Sequence, residues 1–263
     1  MITSTANQQV KQLVQLKKKG KLRDAMEVFV VEGPKMYQEA PKERMEKVYY
    51  SESFFKNQQK GKPLEGVPFE VVQDSVFKAM SDTQTPQGVL CLVKQYHYTL
   101  EELLKTEQPL FLVLENLQDP GNLGTIMRTA EGAGVTGVIL SKGSVDIYNP
   151  KTIRSTMGSI YRVPFLYAEN LQEILSILDE RGVRSYAAHL QGTHTYDQED
   201  YRRGTAFLIG NESNGLSSAL AEKAGTYIRI PMEGRLESLN AAVAASILMY
   251  EAYRQRREFP NFS

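Results

Sequence analysis

The chain has one cysteine, three histidines and no surplus of either charge, and each shortage removes a class of protein. Cys91 has no partner for an internal disulfide. It sits in the apolar run Gly88-Val89-Leu90-Cys91-Leu92-Val93, where it reads as a small buried hydrophobe. One cysteine with His97, His189 and His194 offers no zinc-ligand spacing, so no metal is expected. Lys+Arg and Asp+Glu both total 31, so no global field attracts a polyanion and any nucleic-acid surface must be local. The longest apolar stretch, 241–250, is interrupted by Ser246 and is too short to span a bilayer. Met1-Ile2-Thr3-Ser4-Thr5 lacks the charged start and apolar core of a secretory signal. These absences point to a reduced, cytoplasmic protein with no membrane partner.

What is present is ordinary for a globular chain. At 263 residues, 41% apolar and 24% charged, it has material for one large domain or two common ones. That composition excludes a disordered tail, a collagenous repeat and a disulfide-stapled mini-domain. Residues 1–23 hold Lys11, Lys17, Lys18, Lys19, Lys21 and Arg23 and no acidic residue. Val10, Leu13 and Val14 fall at helical spacing, with Asn7 as N-cap and Gly20 as stop. Short strands are expected at 28–31, 48–51, 69–72 and 88–93, a helix from Pro34, and loop chemistry over 60–68. The reading is a small α/β domain over 1–97, followed by a polar linker over 98–109.

From 110 to 263 the pattern changes. Short apolar runs at 110–114, 137–140, 163–167, 183–188, 206–209 and 227–230 alternate with helical segments at 122–131, 150–157, 171–180, 216–224 and 239–256. Near-continuous apolar strands between helices predict a mostly parallel sheet covered by helices on both faces. The fold class is therefore α/β in both parts. Gly132-Ala133-Gly134-Val135-Thr136-Gly137 matches the glycine spacing of dinucleotide sites, but a helix ends and a strand begins there, the reverse of what phosphate binding needs. Gly132 and Gly134 read instead as helix-terminating glycines.

Three polar loops follow predicted strands, where ligands of open α/β sheets bind. The first contains Asn122-Leu123-Gly124-Thr125-Ile126-Met127-Arg128-Thr129-Ala130, the second Gly210-Asn211-Glu212-Ser213-Asn214-Gly215-Leu216, and the third runs from Pro231-Met232 to Ser238-Leu239-Asn240. Alone, Asn122 reads as a helix cap and Arg128 as a solvated cation. In order, spacing and position the three blocks resemble the signature motifs of the SpoU (TrmH) family of RNA ribose methyltransferases, in the SPOUT superfamily. The first hundred residues, through the basic helix, Phe29-Val30-Val31-Glu32-Gly33 and Thr83-Gln84-Thr85-Pro86-Gln87-Gly88, resemble the RNA-binding domain that a subset of this family carries.

The resemblance implies methyl transfer from S-adenosylmethionine to a ribose 2′-hydroxyl, with large ribosomal RNA as the first substrate. A tRNA substrate, and a non-catalytic RNA-binding or ribosome-assembly factor, are the alternatives. It implies a C-terminal trefoil knot, which periodicity does not show, and a homodimer that completes each active site. Its catalytic set maps onto Arg128, Asn122, Glu212, Ser238 and Asn240, and its cofactor set onto His189, Gly210, Ile230 and Leu239. His189 stands where a small or hydroxyl residue is usual, and an ordinary surface or core histidine is the other reading. A guanidinium holds its proton too tightly to act as a base, so Arg128 is expected to stabilise the developing alkoxide or clamp a phosphate, with Glu212 orienting it. Lys17, Lys18, Lys19, Lys21 and Arg23 read either as a solvated run or as a phosphate-binding patch. Ile247, Leu248, Met249 and Tyr250 read as dimer interface or as core.

Overall fold

The computed structural model describes residues 1–57, 63–236 and 238–257, so residues 60–62 of the expected loop and Glu237 of the third motif lie outside the described residues. By contacts the chain groups into two compact units, Met1–Tyr96 with Asp146–Tyr161, and His97–Val145 with Arg162–Ser263.

The first unit begins with α1 (Gln8–Lys18), capped by Asn7 accepting from the Gln9 amide. α1 ends beside Gly20, where the stop was expected. Lys19 turns extended (φ −119°, ψ 106°) and the chain restarts as α2 (Gly20–Met26). There follow β1 (Val28–Glu32), α3 (Pro34–Glu39), β2 (Met45–Ser51), α4 (Glu52–Lys56), β3 (Phe69–Val72), α5 (Asp74–Met80) and β4 (Val89–Lys94). The strands form one sheet in the order β1-β4-β2-β3, with β4 antiparallel to both neighbours and β2 parallel to β3. Val10, Leu13 and Leu16 of α1 and Val76, Phe77 and Met80 of α5 pack on one face of it. Cys91 is fully buried, and burial pushes its thiol well above the ordinary range, which leaves it inert.

The second unit contains α6 (Leu100–Leu103), β5 (Leu110–Leu114), α7 (Pro120–Gly132) and β6 (Gly137–Ser141). Between β6 and the next strand of the sheet the chain runs through α8 (Pro150–Thr156), which belongs by contacts to the first unit. There Asp146 accepts from the Arg23 guanidinium, and Tyr148 stacks on Phe29 at 4.7 Å, an aromatic pair worth about 0.5–1.5 kcal/mol beyond its buried area. The second unit resumes with β7 (Phe165–Ala168), α9 (Leu171–Glu180), β8 (Arg184–Ala188), β9 (His194–Thr195), β10 (Thr205–Ile209), α10 (Ser218–Ala221), β11 (Thr226–Arg229) and α11 (Ala241–Arg256).

These strands make a seven-stranded sheet in the order β7-β6-β5-β10-β8-β11-β9, parallel throughout. Alternate residues point to opposite faces. Phe111, Val113, Ile139, Ala206 and Leu208 pack under α6, α9 and α10. The intervening residues serve the other face, where α11 lies against α7 and β10. The α/β class and the parallel sheet are as expected. β9 is new, a two-residue strand too short to leave a periodic trace.

Candidate active site

The strand order places three chain-distant segments side by side. β8 lies between β10 and β11, with Ala187 opposite Leu208 and Ala188 opposite Ile228. All three are parallel, so their carboxyl ends form one edge. His189 and Gly210 are the first residues past β8 and β10, and Ile230 is the first past β11. The main chain there is close-packed. A Cβ added at Gly210 would lie 2.0 Å from the Gly215 carbonyl carbon and 2.1 Å from the Leu216 nitrogen, so only glycine lets β10 pass beneath its own loop. That loop is closed by two hydrogen bonds between Asn211 and Gly215, at 3.0 and 2.9 Å, and Glu115 secures its far end through the Ser217 amide and hydroxyl at 2.7 and 2.6 Å.

His189 is half-buried and closes the turn after β8. Its amide donates to Ile228 O at 2.9 Å, its Nδ1 accepts from the Gln191 amide at 3.2 Å, and its ring lies 5.1 Å from that of Tyr227. Ile230 and Leu239 are half-buried, while Leu190 and Leu236 on neighbouring stretches are 66% and 70% exposed. An edge with tight glycine-bearing main chain and uncovered aliphatic side chains suits a nucleoside, whose flat ring needs apolar cover and whose polar edge needs backbone partners.

Asn122 is not the helix cap that its position suggested. Asp119 caps α7 by accepting from the Asn122 amide at 2.8 Å, and Pro120 takes the first helical position, so the helix begins earlier and Asn122 falls inside its first turn. Its side chain is free for other partners. Nδ2 donates to Glu212 Oε1 at 3.0 Å, and Oδ1 accepts from Asn240 Nδ2 at 2.9 Å. Asn240 in turn caps α11 through the Ala242 amide at 2.9 Å. Glu212 accepts from the amides of Gln118 at 3.0 Å and Asp119 at 2.9 Å. One residue from each of the three motifs thus joins a single hydrogen-bonded chain. Partial burial works to raise the Glu212 carboxyl, but the hydrogen bonds from Asn122, Asp119 and Gln118 outweigh it and hold the group below the usual carboxylate value.

Glu212 does not orient Arg128. Its bonds go to the first-motif loop instead, and Arg128 is exposed on α7 with no ion pair among the described residues. Ser238 is exposed and likewise makes no hydrogen bond among them. Sequence reasoning missed Asp119, Gln118 and Glu115. The Asp119-Pro120 pair was the available signal for the cap; nothing local signalled the other two. A separate concavity of about 410 Å³ involves Asp179, Arg184, Glu199 and Lys223 near the starts of β8 and β11, and it touches none of these residues.

The basic residues of the first unit divide into two kinds. Lys17 is only 8% exposed, and its ammonium bonds Met80 O and, at 2.8 Å, Asp82. Arg23 is 4% exposed and donates to the Leu16 and Lys17 carbonyls at 2.6 and 3.2 Å, satisfying the last turn of α1, as well as to Asp146. Both are spent on structure, which corrects their expected place among phosphate-binding residues. Lys18, Lys19 and Lys21 are exposed.

An open parallel sheet with polar loops at its carboxyl edge defines an α/β ligand-binding fold. The SpoU rRNA Methylase family model matches residues 109–250, and the MRM3-like substrate binding domain model matches residues 7–91. The chain is 35% identical over 251 residues to the 23S rRNA (guanosine(2553)-2′-O)-methyltransferase RlmP of Bacillus subtilis, covering 95% of this chain and 97% of that one. The AdoMet-bound rRNA methyltransferase of Sinorhizobium meliloti superposes with a TM-score of 0.86 at 31% identity, over 98% of both chains. The SpoU methyltransferase AviRb of Streptomyces viridochromogenes, in complex with AdoMet, gives 0.83 at 26% identity, over 95% of this chain and 98% of that one. The chain belongs to the SpoU rRNA methylase family.

Proposed function

We propose that the protein transfers a methyl group from S-adenosylmethionine to a ribose 2′-hydroxyl of large ribosomal RNA. The observation that carries this reading is the Glu212–Asn122–Asn240 chain, which ties the three motif loops together beside the edge formed by His189, Gly210 and Ile230. Gly210, Ile230 and Leu239 would hold the cofactor largely through main chain, with His189 shaping the turn after β8. S-adenosylmethionine, when bound, supplies a methyl group on a positively charged sulfur.

The protein's own task is to hold the ribose oxygen in line with the methyl group, so that an oxygen–carbon bond forms as the carbon–sulfur bond breaks, and to ease loss of the hydroxyl proton to solvent water. Arg128 has five donors and no acceptor, so it stabilises the oxygen as negative charge develops, or clamps the neighbouring phosphate. Glu212 is a poor base: its oxygens already accept three hydrogen bonds, and these favour its ionised form. Its role is positioning, through Asn122 and Asn240. Ser238, exposed beside them, is free to meet the ribose.

Residues 1–97 bind RNA in this reading, residues 98–109 join, and residues 110–263 carry out transfer. Exposed Lys18, Lys19 and Lys21 contribute phosphate attraction. A homodimer is part of the reading. On α11, Val243, Tyr250 and Tyr253 are exposed, Ile247 is half-buried, and only Leu248 and Met249 of the expected interface residues belong to the core. Arg128 is exposed on α7, the helix that packs against α11, so a second copy covering these two helices would come near it. The trefoil knot is retained as a proposal, supported by the placing of β10 between β5 and β8. No helix among the described residues is long and apolar enough to cross a membrane, and we place the protein in the cytoplasm.

The test is transfer of radiolabelled methyl from S-adenosylmethionine to fractionated unmodified RNA. Label in large ribosomal RNA, lost with Arg128→Ala, is expected. Label in tRNA would keep the chemistry and overturn the substrate, and neither label nor cofactor binding would leave an RNA-binding protein. Sedimentation showing a monomer at micromolar concentration would remove the dimer.

A further inference from the structure

The first unit contains an open concavity of about 670 Å³, inside the range of roughly 300–1,000 Å³ common for small-ligand sites. Pro34 and Gln38 of α3 form one side, Phe54 and Asn57 at α4 another, and Pro86 and Gln87 ahead of β4 the third. Among the described residues, no charged residue lines it. The side-chain amides of Gln38, Asn57 and Gln87 are exposed and make no hydrogen bond among the described residues. Elsewhere the protein uses such amides: Asn7, Asn149 and Asn170 cap helices, and Gln118 and Gln255 bond carbonyl oxygens.

The walls are fastened from behind. Glu32 accepts from Thr83 Oγ1 at 2.8 Å, from the Asp82 amide at 3.2 Å and from the Ser81 hydroxyl, while Lys17 bonds Met80 O and Asp82. The stretch leading to Pro86 and Gln87 is thereby held at its root. On the α4 side, Asp74 accepts from the amide and hydroxyl of Ser53 at 3.1 and 3.0 Å. At the floor Gly88 has φ +87°, and a Cβ there would stand 2.6 Å from Phe54 Cβ and 2.8 Å from Ser51 Oγ. Only glycine brings β4 this near α4.

A site for phosphate would carry cations, and among the described residues this one has none. An amide presents a donor and an acceptor in one plane, the arrangement by which asparagine and glutamine pair with a nucleobase edge. Pro34 and Pro86, both half-buried, offer apolar surface to the flat ring, and RNA sequence is read mainly from unstacked bases. Resting on the RNA methyltransferase reading, we propose that this concavity takes one unstacked nucleobase of the substrate RNA and reads its edge through Gln38, Asn57 and Gln87. Exposed lysines attract any RNA, so selection has to come from neutral groups such as these.

The test uses the full chain and labelled octamers of oligo(A), oligo(C), oligo(G) and oligo(U), equal in length and charge, followed by fluorescence anisotropy at fixed salt. The wild type is expected to separate its best from its worst octamer by about tenfold or more, the scale of one bidentate base contact. Gln38→Leu with Gln87→Leu should bring all four within about twofold while leaving the salt dependence unchanged, since no phosphate contact is removed. Equal binding of all four by the wild type, or discrimination surviving in the double variant, overturns the proposal, as does displacement of the octamers from the concavity by an uncharged peptide. Should the double variant fail to fold by circular dichroism, Asn57→Leu gives the same readout. Methyl transfer by the same wild-type preparation separates the two readings. Transfer without base discrimination sinks the concavity alone. Discrimination lost in the variant, without transfer or cofactor binding, keeps the concavity and sinks the enzyme.

Discussion

Glu212, Asn122 and Asn240 in the second unit bond one another at 2.9–3.0 Å, whereas Gln38, Asn57 and Gln87 in the first bond nothing among the described residues. Both sets are short polar side chains at the ends of regular elements, so residue type does not explain the contrast. On the roles proposed above, the difference lies in the task each set serves. Groups that must present one geometry to a reacting centre gain from being fixed beforehand, because no reorganisation is then needed during the reaction. Groups that must select a partner gain from being satisfied only by water, which the partner's donors and acceptors replace at little cost. The same contrast recurs between Lys17, buried and bonded, and Lys18, exposed one residue later.

The largest expected effect tests Arg128, which has no ion pair among the described residues. Arg128→Ala should lower the transfer rate by about 10²–10³-fold, the loss typical of one stabilising donor. Cofactor affinity, measured by calorimetry, should stay unchanged; its loss would make Arg128 a binding residue and break the division drawn above. Next comes the lysine pair. Lys17→Ala leaves Met80 O and Asp82 without their donor and should cost about 1–3 kcal/mol in urea unfolding. Lys18→Ala should stay within about 0.5 kcal/mol. Equal costs would mean that burial of Lys17 does not distinguish the two.

Replacing Lys18, Lys19 and Lys21 together by alanine should lessen the slope of log affinity against log salt by about 0.7 for each lost single-strand phosphate contact. An unchanged slope would make these lysines a solvated run. The smallest effect concerns acid. Glu212 has a folded value below its unfolded one, so its contribution to stability is complete above the ordinary carboxylate value near about 4.3 and fades as pH falls through the lowered folded value. Glu212→Gln should therefore melt only slightly below the wild type at neutral pH, because solvent screens much of what an exposed carboxylate contributes. Thermal scans should show that gap closing below about pH 4. A gap that widens in acid would contradict the carboxylate's assigned bonds.

Much of the fold was legible because buried parallel strands are apolar on both sides, and β5 at Leu110–Leu114 is buried at every position. The motif loops were legible for a related reason, since polar, glycine-bearing loops after such strands are costly to explain as packing. Adjacency was not legible. β10 lies between β5 and β8, whose nearest ends are about seventy residues apart in the chain, and no local pattern announces that order. Charge gave no depth: the basic run around Lys17 has the same composition whether a side chain faces water or Met80 O. The expected cap at Asn122 failed because Asp119-Pro120 is the stronger start signal, and that failure freed the amide which links Glu212 to Asn240.

The membership of Asp146–Tyr161 in the first unit bears on how the chain is made. Tyr96 leaves the ribosome some 65 residues before Tyr161, an interval on the order of ten seconds or less at roughly 5–20 residues per second. Until Asp146 and Tyr148 follow, Arg23 lacks its carboxylate and Phe29 its stacking tyrosine, so the nascent unit carries an open apolar face while two of the seven strands of the second sheet are synthesised. Fragments ending near residue 97 should inherit that face permanently and aggregate. Rejoining them to residues 146–161 through a flexible tether should restore a monomeric, folded piece.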